Sequence, residues 1–287
     1  TLSAAGSNIT LDNANDFSTV SVSAGNNVTL ADINAIVLGA STIGGTLGVT
    51  TTAGTITDSG VLAVTGATTL SAGGPSNITL DNANQFTGAV AVSTGANVVL
   101  VDAAGLDLGP IAITGTLAAT ATTGNITNTG GALDIPGAAT FTASAVGASI
   151  TVDNAANTFG ATVTFAPAGG GLANVTVTDD TALDLAALSL SGNLAINAAG
   201  ITQSGAFTVV GTTTLTAGAL NDITLGAANN FTGAVSVVSG RNVTLADINA
   251  IDLGASTISG TLSVTTTAGT ITDSGVLAVT GTTTLSA

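Results

Sequence analysis

The stretch NVTLADINAI, residues 27–36, returns at 242–251, and VTTTAGTITDSGVLAVTG, residues 49–66, returns at 264–281. The displacement is the same in both cases. A weaker echo runs between them: TLSA at 1, TLSA at 69, TFTA at 140, TLTA at 214 and TLSA at 284. These landmarks divide the chain into repeats 1–68, 69–139, 140–213 and 214–283, one continuous segment over 1–287. Such a period is too long for one coil of a solenoid, so a finer unit must lie inside it. In the fourth repeat TLTAGALNDITLGAANNFTG, AVSVVSGRNVTLADINAIDLGASTISG and TLSVTTTAGTITDSGVLAVTGTT share one grammar. Each opens on alternating apolar and small polar residues, turns at a Gly and resumes with DITL, NVTL or GTIT.

Short period-2 runs broken by Gly, Asn or Asp read as β-strands. No segment carries a useful helical period, so parallel pairing must come from coiling rather than from βαβ crossovers. The expectation is an all-β, single-stranded parallel β-helix with about twelve coils, three per repeat, one strand spacing apart. Leu2, Leu70, Phe141, Leu215 and Leu285 are then expected to point inward in register.

Composition agrees. Hydrophobic residues are 45% of the chain, almost all Ala, Val, Ile and Leu, with seven Phe and no Trp, Tyr, Met or Cys. Only 6% are charged; all sixteen acids are Asp, and Arg241 is the one base. β-branched residues suit a pleated surface, and Asn, Asp and Gly suit turns. A net charge of −15 leaves almost nothing to neutralise phosphates, which argues against nucleic acid. No apolar run is long enough for a transmembrane helix, and a membrane barrel would need aromatic girdles. The absence of Cys excludes a disulfide scaffold and is compatible with export.

Recurring residues have local readings. Phe17, Phe86, Phe159 and Phe231 follow an Asn-rich turn in each repeat and read as core plugs, or as a ligand-stacking platform. Asn8, Asn77, Asn125, Asn174 and Asn242 precede a strand start, where Asn caps its own turn and can stack in amide ladders. With Asn27 and Asn230 they also spell N-x-T sequons. APAGGG at 166–171 reads as a bulge leaving the stack at a turn.

Repeats such as NVTLADINAIDLGASTISGTLSVTTTAGTITDSGVLAVTGTTTLSA (242–287) resemble those of large bacterial surface exoproteins of the filamentous-haemagglutinin type, exported by two-partner secretion. The resemblance covers the full chain but rests on repeat style and composition. It implies a right-handed parallel β-helix, an extended fibre, and a place outside or on the outer membrane. It carries over no catalytic residues, and the amino-terminal secretion domain of that family is not in this sequence.

Functional chemistry is sparse. General acid–base work needs a tuned titratable group, and His, Lys, Cys, Tyr and Glu are all absent. No catalytic or cofactor-binding residue is assigned, and the chain reads as a non-enzyme. Asp102 and Asp107, Asp179 and Asp184, and Asp247 and Asp252 form five-apart pairs; repeat one keeps Asp32 but has Val37. These are the candidate calcium ligands. The competing reading is outward or turn-capping Asp that keeps the rod soluble, with like positions spaced beyond the Debye length. Thr rows such as VTTTAG raise an ice-binding face, though they belong mainly to one coil in three.

The expected function is a structural rod segment of a giant secreted or cell-surface adhesin, presenting a Thr/Asn/Asp-rich surface. The alternative is a calcium-stabilised or glycan-contacting stalk. Expected partners are other copies of itself, end to end or side by side, and a host or neighbouring-cell surface. No capping pattern marks either TLSA end, so the chain reads as part of a longer fibre whose open ends associate.

Overall fold

The computed structural model describes residues 1–167 and 171–287. Its strands pair in parallel as a β-solenoid of about 14 turns, and no helix occurs among the described residues. The backbone contacts divide it into two compact units, residues 1–144 and 145–287.

In the first unit the second strand of each turn builds one ladder: Ile9–Asn15, Val28–Asp32, Leu47–Thr51, Thr68–Ala72, Val90–Thr94, Leu106–Ala112 and Leu133–Ile135. The third strand builds another: Thr19–Val20, Ile36–Leu38, Ile56–Asp58, Ile78–Phe86, Val98–Asp102, Leu117–Ala121 and Ala139–Ala143. The first ladder runs through Leu2–Ser3, Val22–Ala24, Ser41–Ile43, Leu62–Val64 and the end of Ile78–Phe86. Seven strands in a ladder mean seven turns.

The second unit repeats this plan. One ladder comprises Ile150–Val152, Val175–Asp179, Leu194–Ala198, Thr213–Thr216, Val235–Ser239, Ile251–Leu253 and Ile271–Asp273. A second joins Val163–Pro167 to Leu183–Leu185, Ile201–Gln203, Ile223–Phe231, Val243–Asp247, Leu262–Thr266 and Thr283–Ser286.

Period-2 alternation builds the wall. In Val28–Asp32 the pattern is buried, exposed, buried, half-buried, buried, so Val28 and Leu30 enter the core while Thr29 faces water. Ile36, Ile56, Leu62, Leu70, Ile78 and Leu80 are completely buried. Removing each such side chain from water stabilises the fold by about 1.5–3 kcal/mol. Phe86, Phe159 and Phe231 are buried as the plug reading expects, and Phe17, in the first turn, is half-buried.

The turn is shorter than expected. Ile9 pairs with Val28, Val28 with Leu47, and Leu47 with Thr68, so three turns carry the chain only from Ile9 to Thr68. The first repeat, 1–68, is longer than that interval, and the excess is close to one face of the triangular coil. Equivalent positions therefore step from face to face. Leu2 lies in the first ladder, Leu70 in the second and Phe141 in the third. Leu215 and Leu285 likewise occupy two different ladders of their unit. The inward expectation holds for Leu70, Phe141 and Leu215, each fully buried; Leu2 is half-buried and Leu285 is 52% exposed. The expected common register does not hold, because a repeat is about three and one third turns long. The APAGGG expectation falls partly on residues 168–170, which lie outside the described residues.

Glycine fixes the tightest corners. Gly54, at φ 100°, lies in the left-handed half of backbone space, and a Cβ there would sit 2.5 Å from the Ala35 nitrogen of the turn below. Gly269, at φ 101°, repeats this against Ala250 at 2.6 Å. Neither backbone nor neighbour has room to give. Gly54→Ala is expected to destabilise the chain by about 1–3 kcal/mol in denaturant unfolding. An unchanged midpoint would show that the corner is looser than the structure makes it.

Candidate functional site

The recurring polar cluster is built on strand parity. In VVLVD, Val98, Leu100 and Asp102 share one face, so Asp102 points inward with the two apolar residues. Asp32, Asp179 and Asp247 end their strands in the same way, and all four are at most 2% exposed. A buried carboxylate must find donors, and each finds them on two successive turns. Asp102 Oδ2 accepts from the Phe86 N–H at 2.6 Å, one turn back, and Oδ1 accepts from Ala104 N–H at 2.6 Å. Asp32 takes Phe17 N–H at 2.6 Å and Asn34 N–H at 2.9 Å. Asp247 takes Phe231 N–H and Asn249 N–H, both at 2.8 Å. The plug phenylalanine and the aspartate one turn later thus form one unit: the carboxylate fixes the backbone that carries the ring.

Asp179 departs from this pattern. Its Oδ1 accepts from the Thr181 N–H and hydroxyl at 2.8 Å and, weakly, from Phe159 N–H at 3.5 Å. Its buried Oδ2 has no partner among the described residues. Burial pushes the Asp179 carboxyl above the usual aspartate range, against the Thr181 and Phe159 hydrogen bonds and with a small contribution from the Asp180 charge. Burial also raises Asp102, against the Phe86 and Ala104 bonds.

The second member of each pair lies on the outer surface. Asp107 accepts from the Thr127 hydroxyl at 2.9 Å and from the Thr129 hydroxyl at 2.6 Å, one turn on. Asp184 accepts from Thr162 and Thr202 hydroxyls at 2.8 and 3.1 Å, and Asp252 from Ser274 at 2.7 Å. The structure therefore does not bring Asp102 and Asp107, Asp179 and Asp184, or Asp247 and Asp252 onto a common point. One carboxylate of each pair faces the bore and the other faces solvent. Among the described residues no three His, Cys, Asp or Glu gather where an ion could be held. The turn-capping reading holds for the first members; the outward reading holds only for the second.

The asparagines stack as expected at one corner. Asn8 Oδ1 accepts from Asn27 N–H at 3.1 Å, and Asn27 Oδ1 accepts from the Thr46 N–H and hydroxyl at 3.0 and 3.1 Å. Asn77, Asn97 and Thr116 repeat the sequence, as do Asn174, Asn193 and Thr212. In the fourth copy Asp222 replaces the first Asn and holds Arg241 in a two-pronged ion pair, 2.8 Å at each contact. The Arg241 hydrogen bond keeps the Asp222 carboxyl far below the usual range. Both partners are about half exposed, so solvent screening limits the pair's value. The one base in the chain is thus a compensation for one acid in an amide ladder.

A second class of buried asparagine escaped the sequence reading. Asn84, Asn157 and Asn229, two residues before a plug Phe, are fully buried. Asn84 Oδ1 accepts from Leu62 N–H at 2.8 Å, and its Nδ2 donates to Asp58 at 2.8 Å. Asn229 Oδ1 accepts from Phe207 N–H at 2.8 Å in the same role. The NxF spacing in DNANDF, DNANQF, NAANTF and AANNF was the available signal.

The two buried acids respond differently to loss of charge. In Asp102→Asn an amide nitrogen must face one of two N–H donors, so stability at neutral pH is expected to fall by about 2 kcal/mol. In Asp179→Asn the amide nitrogen can replace the unpartnered Oδ2, and the change is expected to stay within about 0.5 kcal/mol. The pH dependence has a definite sign. A native carboxyl raised above its unfolded value binds a proton more readily than the unfolded chain does, so its contribution improves as pH falls through that range. Wild type should therefore gain on Asp179→Asn on mild acidification, read as the difference in melting temperature. Equal costs for the two variants would refute the asymmetry.

Comparison with known proteins supplies a family and no activity. A family profile described as "Repeats of unknown function (DUF5649)" matches residues 1–24, 25–93, 95–166, 172–238 and 240–287, nearly the whole chain. No curated protein and no solved structure matches.

Proposed function

We propose, for a chain that belongs to the DUF5649 family of repeats, a mechanical role: a length-giving rod segment of a large bacterial exoprotein resembling the filamentous-haemagglutinin type. In this reading it works outside the cell or on its surface, within an adhesin. It carries out no catalysis and holds no cofactor. Its partners are further solenoid turns, of its own chain or of another copy, and the cell surfaces that the whole fibre reaches.

The observation that carries this reading is the repeat of three and one third turns. A flat binding face requires like residues stacked on one side, turn after turn. Here each repeat moves its motifs to the next face. The bulge Asp12–Ala14 interrupts the second ladder, and its counterpart Asp81–Ala83 interrupts the third. The outer surface is thereby evened out around the axis, which suits a spacer better than a receptor for ice or glycan. The outward Asp rows, bonded to Thr and Ser hydroxyls of adjacent turns, keep an otherwise nearly uncharged wall hydrated.

Electron microscopy of chains with two, four and eight repeats tests this. The rod should lengthen by about 16 Å per repeat at constant width. Melting in chelator and in calcium is the companion measurement, and the two curves should coincide. A compact particle would overturn the rod, and a calcium-dependent melting temperature would favour the calcium-stabilised stalk.

A further inference from the structure

One corner of the second unit carries charge in a way that its sister corners do not. Asp179 and Asp180 are the only two acids that adjoin in the sequence. After the other inward aspartates, Asp32, Asp102 and Asp247, the chain has Ile33, Ala103 and Ile248. Around the acid pair the outer wall is hollowed into an open trough of about 390 Å³. Its polar lining is Thr178, Asp179, Asp180, Asn197, Thr216 and Asn221. Thr178, Asn197 and Thr216 stand in register across three adjacent strands, so the trough runs along the stack rather than around it.

Two independent features make this trough a receptor for positive charge. The first is Asp179 itself, which is 2% exposed and whose Oδ2 has no partner among the described residues. Asp32, Asp102 and Asp247 engage both carboxylate oxygens. At Asp179 alone the cost of burying one oxygen is not offset by a donor. The second feature is Asp180, exposed beside it where its counterparts are apolar. Two neighbouring carboxylates repel each other, and a cation placed between them relieves the repulsion and supplies donors.

We infer that this trough receives a guanidinium group, presented by an arginine side chain of a basic polypeptide other than this one. The inference goes beyond the rod reading, since a spacer needs no such site. The shape of the acceptor set selects guanidinium. Asp180 lies on one strand's end, the Asn197 amide on the next strand, and Asp179 beneath them. A planar fork with five donors meets several such acceptors at once, whereas an ammonium is a point charge. Ala155 and Ala199, both exposed, flank the trough and offer an apolar surface to the methylene stem.

The same wall already holds one guanidinium in this manner. Arg241 reaches back one turn and takes both oxygens of Asp222, 2.8 Å at each contact. Because Arg241 is the chain's one base and is so engaged, a second copy has no free cation to offer. The partner is therefore a different and basic chain, which the net charge of −15 attracts over distance. A bare divalent ion is less well served, because no third acid joins the pair among the described residues.

Titration of the isotope-labelled full chain, 1–287, with N-acetylarginine amide tests this by NMR. The amide signals of Asp180, Asn197 and Ala199 should move and saturate with a Kd on the order of 1 mM. Binding should weaken as salt is raised. N-acetylcitrulline amide, which keeps the shape without the charge, should leave the signals in place. Asp180→Asn should weaken binding by about fivefold and Asp179→Asn by about tenfold. In Asp179→Asn the amide nitrogen can take the place of the free oxygen, so the fold is retained, and circular dichroism checks this for both variants. The inference is overturned by the absence of a saturable shift, by equal binding of the citrulline probe, or by unchanged affinity in either variant. Shifts spread over aspartates throughout the wall would also overturn it, as they mark nonspecific attraction. Calcium chloride moving the same signals at lower concentration than the arginine probe would overturn it in favour of a metal site.

Discussion

Everything in this fold follows from stacking one turn on the next at a strand's distance. At about 4.8 Å each inward side chain touches its counterparts above and below. The bore therefore admits columns of Leu, Ile, Val and Ala, with a Phe where a corner leaves room. The same constraint governs polarity. A buried donor or acceptor must be answered within the stack, from its own turn or from the adjacent one. Asp102 answers the N–H of Phe86, and Asn84 answers the N–H of Leu62. Where the answer is missing the residue stands out: the buried hydroxyls of Thr68 and Thr213 and Oδ2 of Asp179 have no partner among the described residues.

The mismatch between repeat and turn gives the chain its second property. A repeat that contained a whole number of turns would stack each bulge, plug and acid on its own copies. Like charges and kinks would then accumulate along one edge. With a third of a turn left over, Leu2, Leu70 and Phe141 take three ladders in succession. The sequence can repeat strongly while the surface does not.

Much of this was legible in the residues alone. Period-2 runs and turn signals identify the strands, and the absence of helical periodicity leaves coiling as the way to pair them in parallel. The plugs Phe86, Phe159 and Phe231 were legible from their recurrence. The turn length was not, because the corners are too variable to mark a boundary. One turn carries the chain from Ile9 to Val28, whereas another needs the longer path from Ile150 to Val175. The inward aspartates were missed for a different reason. Charge suggested solvent, but parity in VTLAD and VVLVD already placed Asp32 and Asp102 with the buried residues. The role of Arg241 was not legible, because its partner, Asp222, lies a full turn back along the chain.

The most direct test of this account is the length of one turn. Thr79 and Val99 are cross-strand neighbours on the outer wall, and the chain has no native cysteine to interfere. Adjacent parallel strands place their Cα atoms within the range a disulfide spans, about 4.4–6.8 Å. Thr79→Cys combined with Val99→Cys should therefore oxidise rapidly to an intramolecular disulfide without loss of stability. Thr79→Cys combined with Ala103→Cys, the spacing that three turns per repeat would require, should remain reduced. Preferential closure of the second pair would contradict the account.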